Sequence, residues 1–272
     1  MKPASARAAA FAAGPAPIPR KTVVVGGAVL LAIGLTGALL DKVFVHPGAP
    51  PPKTAIAPAP RNALRIVKVP LASLPGGAPL AHLLGTDALA GKRAPALSLL
   101  AQQGRRVRLA DLRGDAIVLS FLDSACDDEC PVVGPELAAA DRLLGARAQR
   151  VRFLTVNTDP LRTAFSPAPP VFTRTGLAGL KNAEFLTGTI HALNPIWTEY
   201  GVTIDVASTG RIAHSDLVYL IDPRGRLRYR ITPPASESRR GTYSLPAPEQ
   251  ARVAKAIATY TASLFSAPKH TG

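Results

Sequence analysis

Two continuous apolar runs in the middle of the chain constrain its fold most. The run AIVLSFL at residues 116–122 has strand length and no charge, which is the pattern of a central strand covered on both faces. A stretch with helical spacing of apolar residues follows at residues 131–148, and the run VRFLTVN at residues 151–157 predicts a second buried strand. Strands buried on both faces need helices to cover them, so this order predicts an α/β domain.

The segments on either side complete the same domain. Residues 94–114 predict two short strands around a Gln-Gln-Gly-Arg turn, and TIHALNPIWTEYGV predicts a helix that Pro195 begins or interrupts. HSDLVYLIDPRGRLRYRI predicts a hairpin in which His214 opens the first strand, and PEQARVAKAIATYTASLF predicts an amphipathic C-terminal helix. Strand, helix, strand, helix, hairpin and helix is the order of a thioredoxin-like α/β domain, which we predict for residues 91–272.

The N-terminal part of the chain has a different character. Residues 1–21 form a basic arm without acidic residues, and the uncharged run at 23–40 is long enough, at about 1.5 Å per residue, to span most of a bilayer core of about 30 Å. The run is longer than the apolar region of a cleaved signal peptide, and no A-x-A site follows it. We therefore predict a single transmembrane signal anchor at residues 22–45 of a protein of the inner membrane, with its functional domain on the periplasmic, extracytoplasmic side. The Pro/Ala-rich residues after it predict a spacer and lead-in at 46–90.

The net charge of +14 narrows the class of partner. Such a charge is typical of nucleic-acid-binding proteins, but the arginines are scattered through apolar segments and only 5% of the residues are aromatic. The chain therefore lacks the basic tracts and stacking platforms of a nucleic-acid-binding protein. An anionic lipid surface or an acidic protein partner fits this composition better.

The only two cysteines of the chain, Cys126 and Cys130, lie where the first buried strand turns into a helix. Backbone N–H groups at a helix start stabilise thiolates, the form of cysteine that attacks disulfides and binds metals. A structural disulfide of such short span would stabilise the fold little, because the stabilisation grows with loop length. The intervening Asp127, Asp128 and Glu129 oppose thiolate formation unless a cation is near. A redox pair and a metal site both remain open.

Two sulfurs alone make an incomplete metal site, and a third ligand has to come from elsewhere in the chain. Copper(I) is a soft ion that suits thiolates, and a Cys₂His set is a plausible cage for it. His214 at the mouth of a strand beside the central sheet could reach the cysteine turn, whereas His191 sits inside a helical pattern. The five histidines of the chain are His46, His82, His191, His214 and His270.

The motifs LSFLDSACDDECPVVGPEL, FLTVNTDP, FLTGT and HSDLVYLIDPRGRLR, in this order, resemble those of the Sco/SenC family of membrane-anchored copper proteins. The resemblance implies a thioredoxin-like fold that binds copper through Cys126, Cys130 and His214. It implies an assembly factor for the binuclear copper centre of cytochrome c oxidase, with the copper-binding subunit of the oxidase as partner. The chain departs from the family pattern at Asp127, where the family often has proline, and in LRTAF and SPAPPVFTRTG after NTDP.

Two functions follow from these motifs. The first is a copper(I)-binding metallochaperone, in which Asp216 or Asp205 could accept a hydrogen bond from the second nitrogen of His214. The second is a thiol–disulfide oxidoreductase that reduces partner cysteines and needs only Cys126 and Cys130. An extracytoplasmic binding domain with a structural disulfide is a third reading. Asp159 is expected to have a structural role in turn chemistry.

Overall fold

The computed structural model describes residues 64–126, 130–167, 169–237 and 243–266. The α-helices in these residues are α1 (Gly77–Leu83), α2 (Cys130–Leu144), α3 (Pro170–Arg174), α4 (Ile190–Glu199) and α5 (Ala247–Ser263). The strands are β1 (Asp87–Ala88), β2 (Ser98–Ala101), β3 (Arg106–Arg108), β4 (Ala116–Leu122), β5 (Val151–Asn157), β6 (Ala183–Thr187), β7 (Ile204–Val206), β8 (Ile212–His214), β9 (Val218–Ile221), β10 (Leu227–Ile231), β11 (Ser236–Glu237) and β12 (Tyr243–Ser244).

Eight of these strands form one mixed sheet in the order β1-β10-β9-β4-β5-β6-β2-β3. The three strands β4, β5 and β6 run parallel, and β9 pairs antiparallel with β4. The chain crosses from β4 to β5 through α2, which is the connection that a parallel pair requires. This arrangement confirms the predicted α/β, thioredoxin-like class of the domain.

Strand β4 lies between two apolar cores. All seven of its residues are buried. Because side chains alternate across a strand, Val118 and Leu122 belong to the core that contains residues of α2 and α5, whereas Leu119 and Phe121 belong to the core that contains Trp197 of α4. The prediction of a central strand covered on both faces is thereby confirmed.

The predicted helices and turns correspond to observed elements. Helix α2 covers most of the predicted helical stretch, and α5 is the predicted C-terminal helix. Helix α4 begins at Ile190, with the Thr189 side chain accepting a hydrogen bond from Ala192 N, so Pro195 lies inside the helix and neither begins it nor ends it. The Asp222 carboxylate accepts hydrogen bonds from the backbone N–H groups of Arg224 and Arg226, which closes the β9–β10 turn.

The prediction that His214 opens the first strand of the hairpin is wrong. His214 is the last residue of the short strand β8, which pairs with β7 in a separate two-stranded sheet. Strand β9 begins only at Val218. The Leu217 N–H donates to the Ser215 carbonyl in a tight bend, and this bend separates the two strands.

Part of the predicted lead-in packs on the domain. Strand β1 pairs with β10 at the edge of the sheet, Leu84 is fully buried, and the Thr232 N–H donates to the Leu84 carbonyl. The predicted anchor at residues 22–45 lies outside the described residues. Within the described part of the chain, no helix combines the length and the apolar character needed to cross a membrane.

Candidate functional site

The topology brings the cysteine turn and His214 to the same edge of the sheet. Strand β4 ends at Leu122, and its Ser120 is paired with Val218, the first residue of the antiparallel β9. Cys126 therefore follows the end of β4 closely, and His214 precedes the start of β9 by a similar length of chain. We call this side of the sheet, where β4 and β5 end and β9 begins, the cysteine edge.

Backbone and side-chain hydrogen bonds hold the turn that carries Cys126. The Asp123 carboxylate accepts a 2.8 Å hydrogen bond from Ala125 N, and the Asp123 carbonyl accepts one from Cys126 N at 3.2 Å. Arg174 of α3 donates to the carbonyl oxygens of Ala125 and Cys126 from outside the turn. Cys126 has 9% of its surface exposed, so it is largely packed while lying at the rim of the core.

Cys130 is the first residue of α2. Its backbone position matches the prediction of a cysteine at the helix entrance, where N–H groups that lack intrahelical partners favour a negative charge. The side chains of residues 130–132 lie outside the described part of the structure, as do Asp127, Asp128 and Glu129.

The imidazole of His214 is held from its Nδ1 side. Nδ1 lies 3.3 Å from the Ser215 carbonyl oxygen and 3.6 Å from Asp216 Oδ1, and the side chain is only 6% exposed. The Ser215 carbonyl is the acceptor on this side and the Asp216 carboxylate is nearby, which favours the tautomer with the proton on Nδ1, so that Nε2 carries the lone pair. Of the two carboxylates predicted to support this histidine, Asp216 is beside the ring. Asp205 is exposed and lies across from Ala213.

A fully buried carboxylate in the loop after the neighbouring strand β5 supports the cysteine turn. Asp159 accepts hydrogen bonds from the backbone N–H groups of Leu161 and Arg162, which confirms its expected structural role in a turn. Its other oxygen accepts from the Arg162 guanidinium at 2.9 Å and from the Ser124 hydroxyl at 3.3 Å. Asp159 thus links the loop after β5 to the loop after β4.

Sequence reasoning missed Asn157, the last residue of β5. Its side-chain oxygen accepts hydrogen bonds from the N–H groups of Ser124 and Asp159, and its side-chain nitrogen donates to the Arg162 carbonyl. Its own carbonyl accepts a hydrogen bond from the indole of Trp197. The signal in the sequence was an asparagine at the end of an apolar run. If such a side chain is buried, its polar atoms need hydrogen-bond partners.

The pKa of Asp123 depends on several other groups of the cysteine edge. The pKa of Asp123 is raised, first because burial penalises its charged form and further because Asp159 is near. The hydrogen bond from Ala125 and the positive form of His214 act in the opposite direction. This effect requires the His214 side chain to lie near that of Asp123, which belongs to the turn that precedes Cys126.

The two other described histidines stand on helices rather than on the loops that carry Cys126 and His214. His82 lies on α1 and His191 on α4, and both are exposed. His46 and His270 lie outside the described residues. Among the side chains that are described, no three His, Cys, Asp or Glu residues come together as a ready metal cluster. The described donors of the candidate site are therefore Cys126 and the Nε2 of His214.

A comparison with protein-family models identifies the family of this chain. A family model described as SCO1/SenC matches residues 89–242, which is more than half of the chain. No curated protein sequence matches the chain at a significant level.

Among solved structures, the chain is similar to Bradyrhizobium japonicum ScoI with copper bound, at 21% identity and a TM-score of 0.46, over 64% of this chain and 99% of that one. It is similar to apo Sco1 from Thermus thermophilus, at 23% identity and a TM-score of 0.49, over 65% of this chain and 94% of that one. It is also similar to yeast Sco1 with copper bound, at 24% identity and a TM-score of 0.42, over 50% of this chain and 77% of that one.

Proposed function

This chain belongs to the SCO1/SenC family, and we propose that it is a copper(I)-binding metallochaperone for the assembly of the binuclear copper centre of cytochrome c oxidase. The observation that supports the proposal is that the Cys126 turn and His214 lie at the same edge of the sheet, although 88 positions separate them in the sequence (214 − 126 = 88). Copper is the cargo of such a protein.

The proposed ligands are the thiolates of Cys126 and Cys130 and the Nε2 of His214. Two thiolates and one imidazole form a soft donor set that suits copper(I). The N-terminus of α2 favours the Cys130 thiolate, and the Ser215 carbonyl on the Nδ1 side of His214 favours the neutral tautomer that can coordinate through Nε2.

Copper(I) titration of the full chain tests this assignment. The wild-type protein, purified anaerobically in detergent, is expected to bind one copper(I) per chain in competition with a chromophoric chelator. His214→Ala removes a ligand, and its affinity should fall by roughly 100-fold or more, since loss of an outer-shell partner alone typically costs 10–100-fold. His191→Ala is the matched control, because His191 is exposed on α4, and it should bind like the wild type. Equal affinities of His214→Ala and the wild type would contradict the proposed site.

A thiol–disulfide oxidoreductase is the second candidate, and the position of Cys130 at the start of α2 favours it. This function requires only the cysteine pair: one thiolate attacks a partner disulfide and the second resolves the mixed disulfide. Turnover of a model disulfide that persists in His214→Ala and under copper chelation would support this candidate over copper transfer.

The proposed location follows from the N-terminal residues. We propose that residues 22–45 anchor the chain in the inner membrane and that the domain lies on the periplasmic side, where the copper-binding subunit of the oxidase would be its partner. The net charge and the uncharged run at 23–40 support this location. Resistance of the protein to alkaline extraction from membranes, together with digestion of the domain by protease added from the periplasmic side, is the expected result.

A further inference from the structure

The end of the sheet opposite the cysteine edge carries a group of exposed arginines. Strands β4 and β5 begin at this end, and the β9–β10 turn lies beside the start of β4. We call this group the basic end; its exposed members are Arg93, Arg113, Arg150, Arg224 and Arg226.

Hydrogen bonds to backbone carbonyl oxygens orient three of these side chains. Arg113 donates to the Arg224 carbonyl at 2.9 Å, and Arg226 donates to the Gly91 carbonyl at 3.2 Å. Arg150 donates to the Gly114 carbonyl at 2.8 Å. A carbonyl orients a guanidinium group but does not neutralise it, so each of these three arginines keeps its full charge at the surface.

The acidic residues nearby do not neutralise the basic end. Asp222, which is buried in the β9–β10 turn, lies 3.5 Å from Arg228, and Asp115 lies 2.8 Å from Arg152. Both of those arginines are outside the group. Among the described residues, none of the five members forms an ion pair with a carboxylate. The basic end is therefore a fixed patch of positive potential.

The chain also enters the domain beside the basic end. The Ala90 N–H donates to the Arg65 carbonyl, and residues 91–93 continue to Arg226, whose backbone pairs with that of Arg93. The described part of the chain therefore begins on this side of the domain, and the proposed spacer precedes it in the sequence at residues 46–63. A polyproline-type spacer of that length reaches up to about 55 Å, at about 3.1 Å per residue, so the tether alone does not orient the domain.

We propose that the basic end rests on the anionic headgroups of the membrane that holds the anchor. This inference rests on the proposed membrane anchoring. Exposed guanidinium groups bind phosphate in a bidentate manner, and the tether keeps them at a high effective concentration near the lipid surface. The cysteine edge then faces away from the membrane, about 23 Å higher across the seven residues of β4 at about 3.3 Å each, where a partner can approach it.

Arginine footprinting of the full chain in nanodiscs tests the proposal. The protein is incorporated into discs of phosphatidylcholine alone or with phosphatidylglycerol, treated with an arginine-specific dicarbonyl reagent and analysed by mass spectrometry. Arg113, Arg224 and Arg226 are expected to react roughly threefold or more slowly in the anionic discs. The protection should disappear in 0.5 M salt, where the screening length is about 4 Å.

Arg106 and Arg252 serve as internal references. Arg106 lies opposite Leu100, which is paired with Thr187 at the end of β6 near the cysteine edge, and Arg252 is exposed in the first half of α5. Both should react equally in the two kinds of disc. Equal rates for all arginines in both discs would overturn the proposal, and so would protection that arises only when an acidic protein is added.

A pair of charge-matched variants separates this inference from the proposed function. R113Q/R224Q/R226Q should lose the lipid-dependent protection of Arg93 and Arg150, whereas R106Q/R252Q/K255Q should keep it, and both should bind copper(I) like the wild type. A wild-type chain that enters the discs and is protected but binds no copper would contradict the metallochaperone alone. A chain that fails to enter the discs would contradict the anchor, and with it this orientation.

Discussion

At the scale of single residues, hydrogen bonds between side chains and backbone groups hold the cysteine edge in place. Asn157 and Asp159 both bind the loop after β4, and Arg174 holds the carbonyl oxygens of the cysteine turn from α3. These contacts fix the backbone on which Cys126 stands, because hydrogen bonds to buried polar groups are costly to break. The sequence indicated only Asp159 among them, since its turn chemistry is local.

The contact between His214 and Asp216 leads to a prediction about copper affinity. Asp216→Ala removes the carboxylate that lies 3.6 Å from Nδ1 of the ring, and it should weaken copper(I) binding by about tenfold. Asp205→Ala is the control, because Asp205 is exposed and faces Ala213 across the β7–β8 pair. Competition titrations measure both variants. A loss in Asp205→Ala as large as that in Asp216→Ala would argue against a supporting role for Asp216.

At the scale of secondary-structure elements, the interface between α2 and α5 contains an unusual group. Glu136 of α2 is 1% exposed, and neither of its carboxylate oxygens has a hydrogen-bond partner among the described residues. Burial, and then the nearby Glu249 of α5, raises its pKa to about 8. The carboxyl group is therefore neutral at pH 7 in the folded protein and ionised in the unfolded chain.

Glu136 makes the stability of the domain depend on pH. The folded state binds one more proton than the unfolded state between about pH 4.5 and pH 8, so this group lowers the free energy of unfolding as the pH rises through that window. Glu136→Gln should remove the dependence and raise the stability at pH 9 by a few kcal/mol, on the order expected for a shift of this size.

Urea unfolding of the full chain between pH 5 and pH 9.5 measures this effect as the difference between the variant and the wild type. Glu199→Gln is a control on the other side of the sheet, on the helix α4, and its curve should stay parallel to that of the wild type. Glu249→Gln should move the transition to lower pH, because Glu249 contributes to the raised pKa of Glu136. Parallel curves for Glu136→Gln and the wild type would show that Glu136 does not titrate in this window.

Local sequence patterns were enough to predict the longer secondary-structure elements. Strands β4 and β5 and helices α2 and α5 have long, regular apolar patterns, and each was predicted close to its observed bounds. The β7–β8 pair was missed, because each strand has three residues and most of them are not buried. Without that pair, the run HSDLVYLID reads as one strand, and His214 was therefore placed at its start.

At the scale of the whole molecule, copper would join parts of the fold that are distant in sequence. The proposed ligands stand on the loop after β4, on the start of α2 and on the end of β8. A ligand that binds only the folded state stabilises it by about 2.7 kcal/mol at a free concentration of 100 times its dissociation constant. Copper(I) should therefore raise the Tm of the full chain by roughly 5–10 °C, given about 2–4 °C per kcal/mol for a domain of this size.

Calorimetry or near-UV circular dichroism under anaerobic conditions measures this shift. His214→Ala should lose most of it, whereas His191→Ala should retain it, because only the first variant removes a proposed ligand. An equal rise of the Tm in both variants would mean that copper binds without His214.

The whole fold also determines where the positive charge of the domain is concentrated. The arginines of the basic end come from four separate stretches of the chain, and in the sequence they are merely scattered. The parallel pairing of β4 with β5 and the antiparallel pairing with β9 bring these stretches to one end of the sheet. The cysteine edge then lies at the opposite end, so the molecule has two ends of different chemistry.

The sequence by itself determined the features that depend on neighbouring residues. It indicated the buried strands, the main helices and the cysteine turn at a helix start, and its ordered motifs identified the family. Only the tertiary structure decided that His214 lies at the same edge of the sheet as the Cys126 turn, that Asp216 rather than Asp205 lies beside its ring, and that scattered arginines form one surface. Strand order and register determine these relations, and they arise from packing between segments that local spacing does not encode.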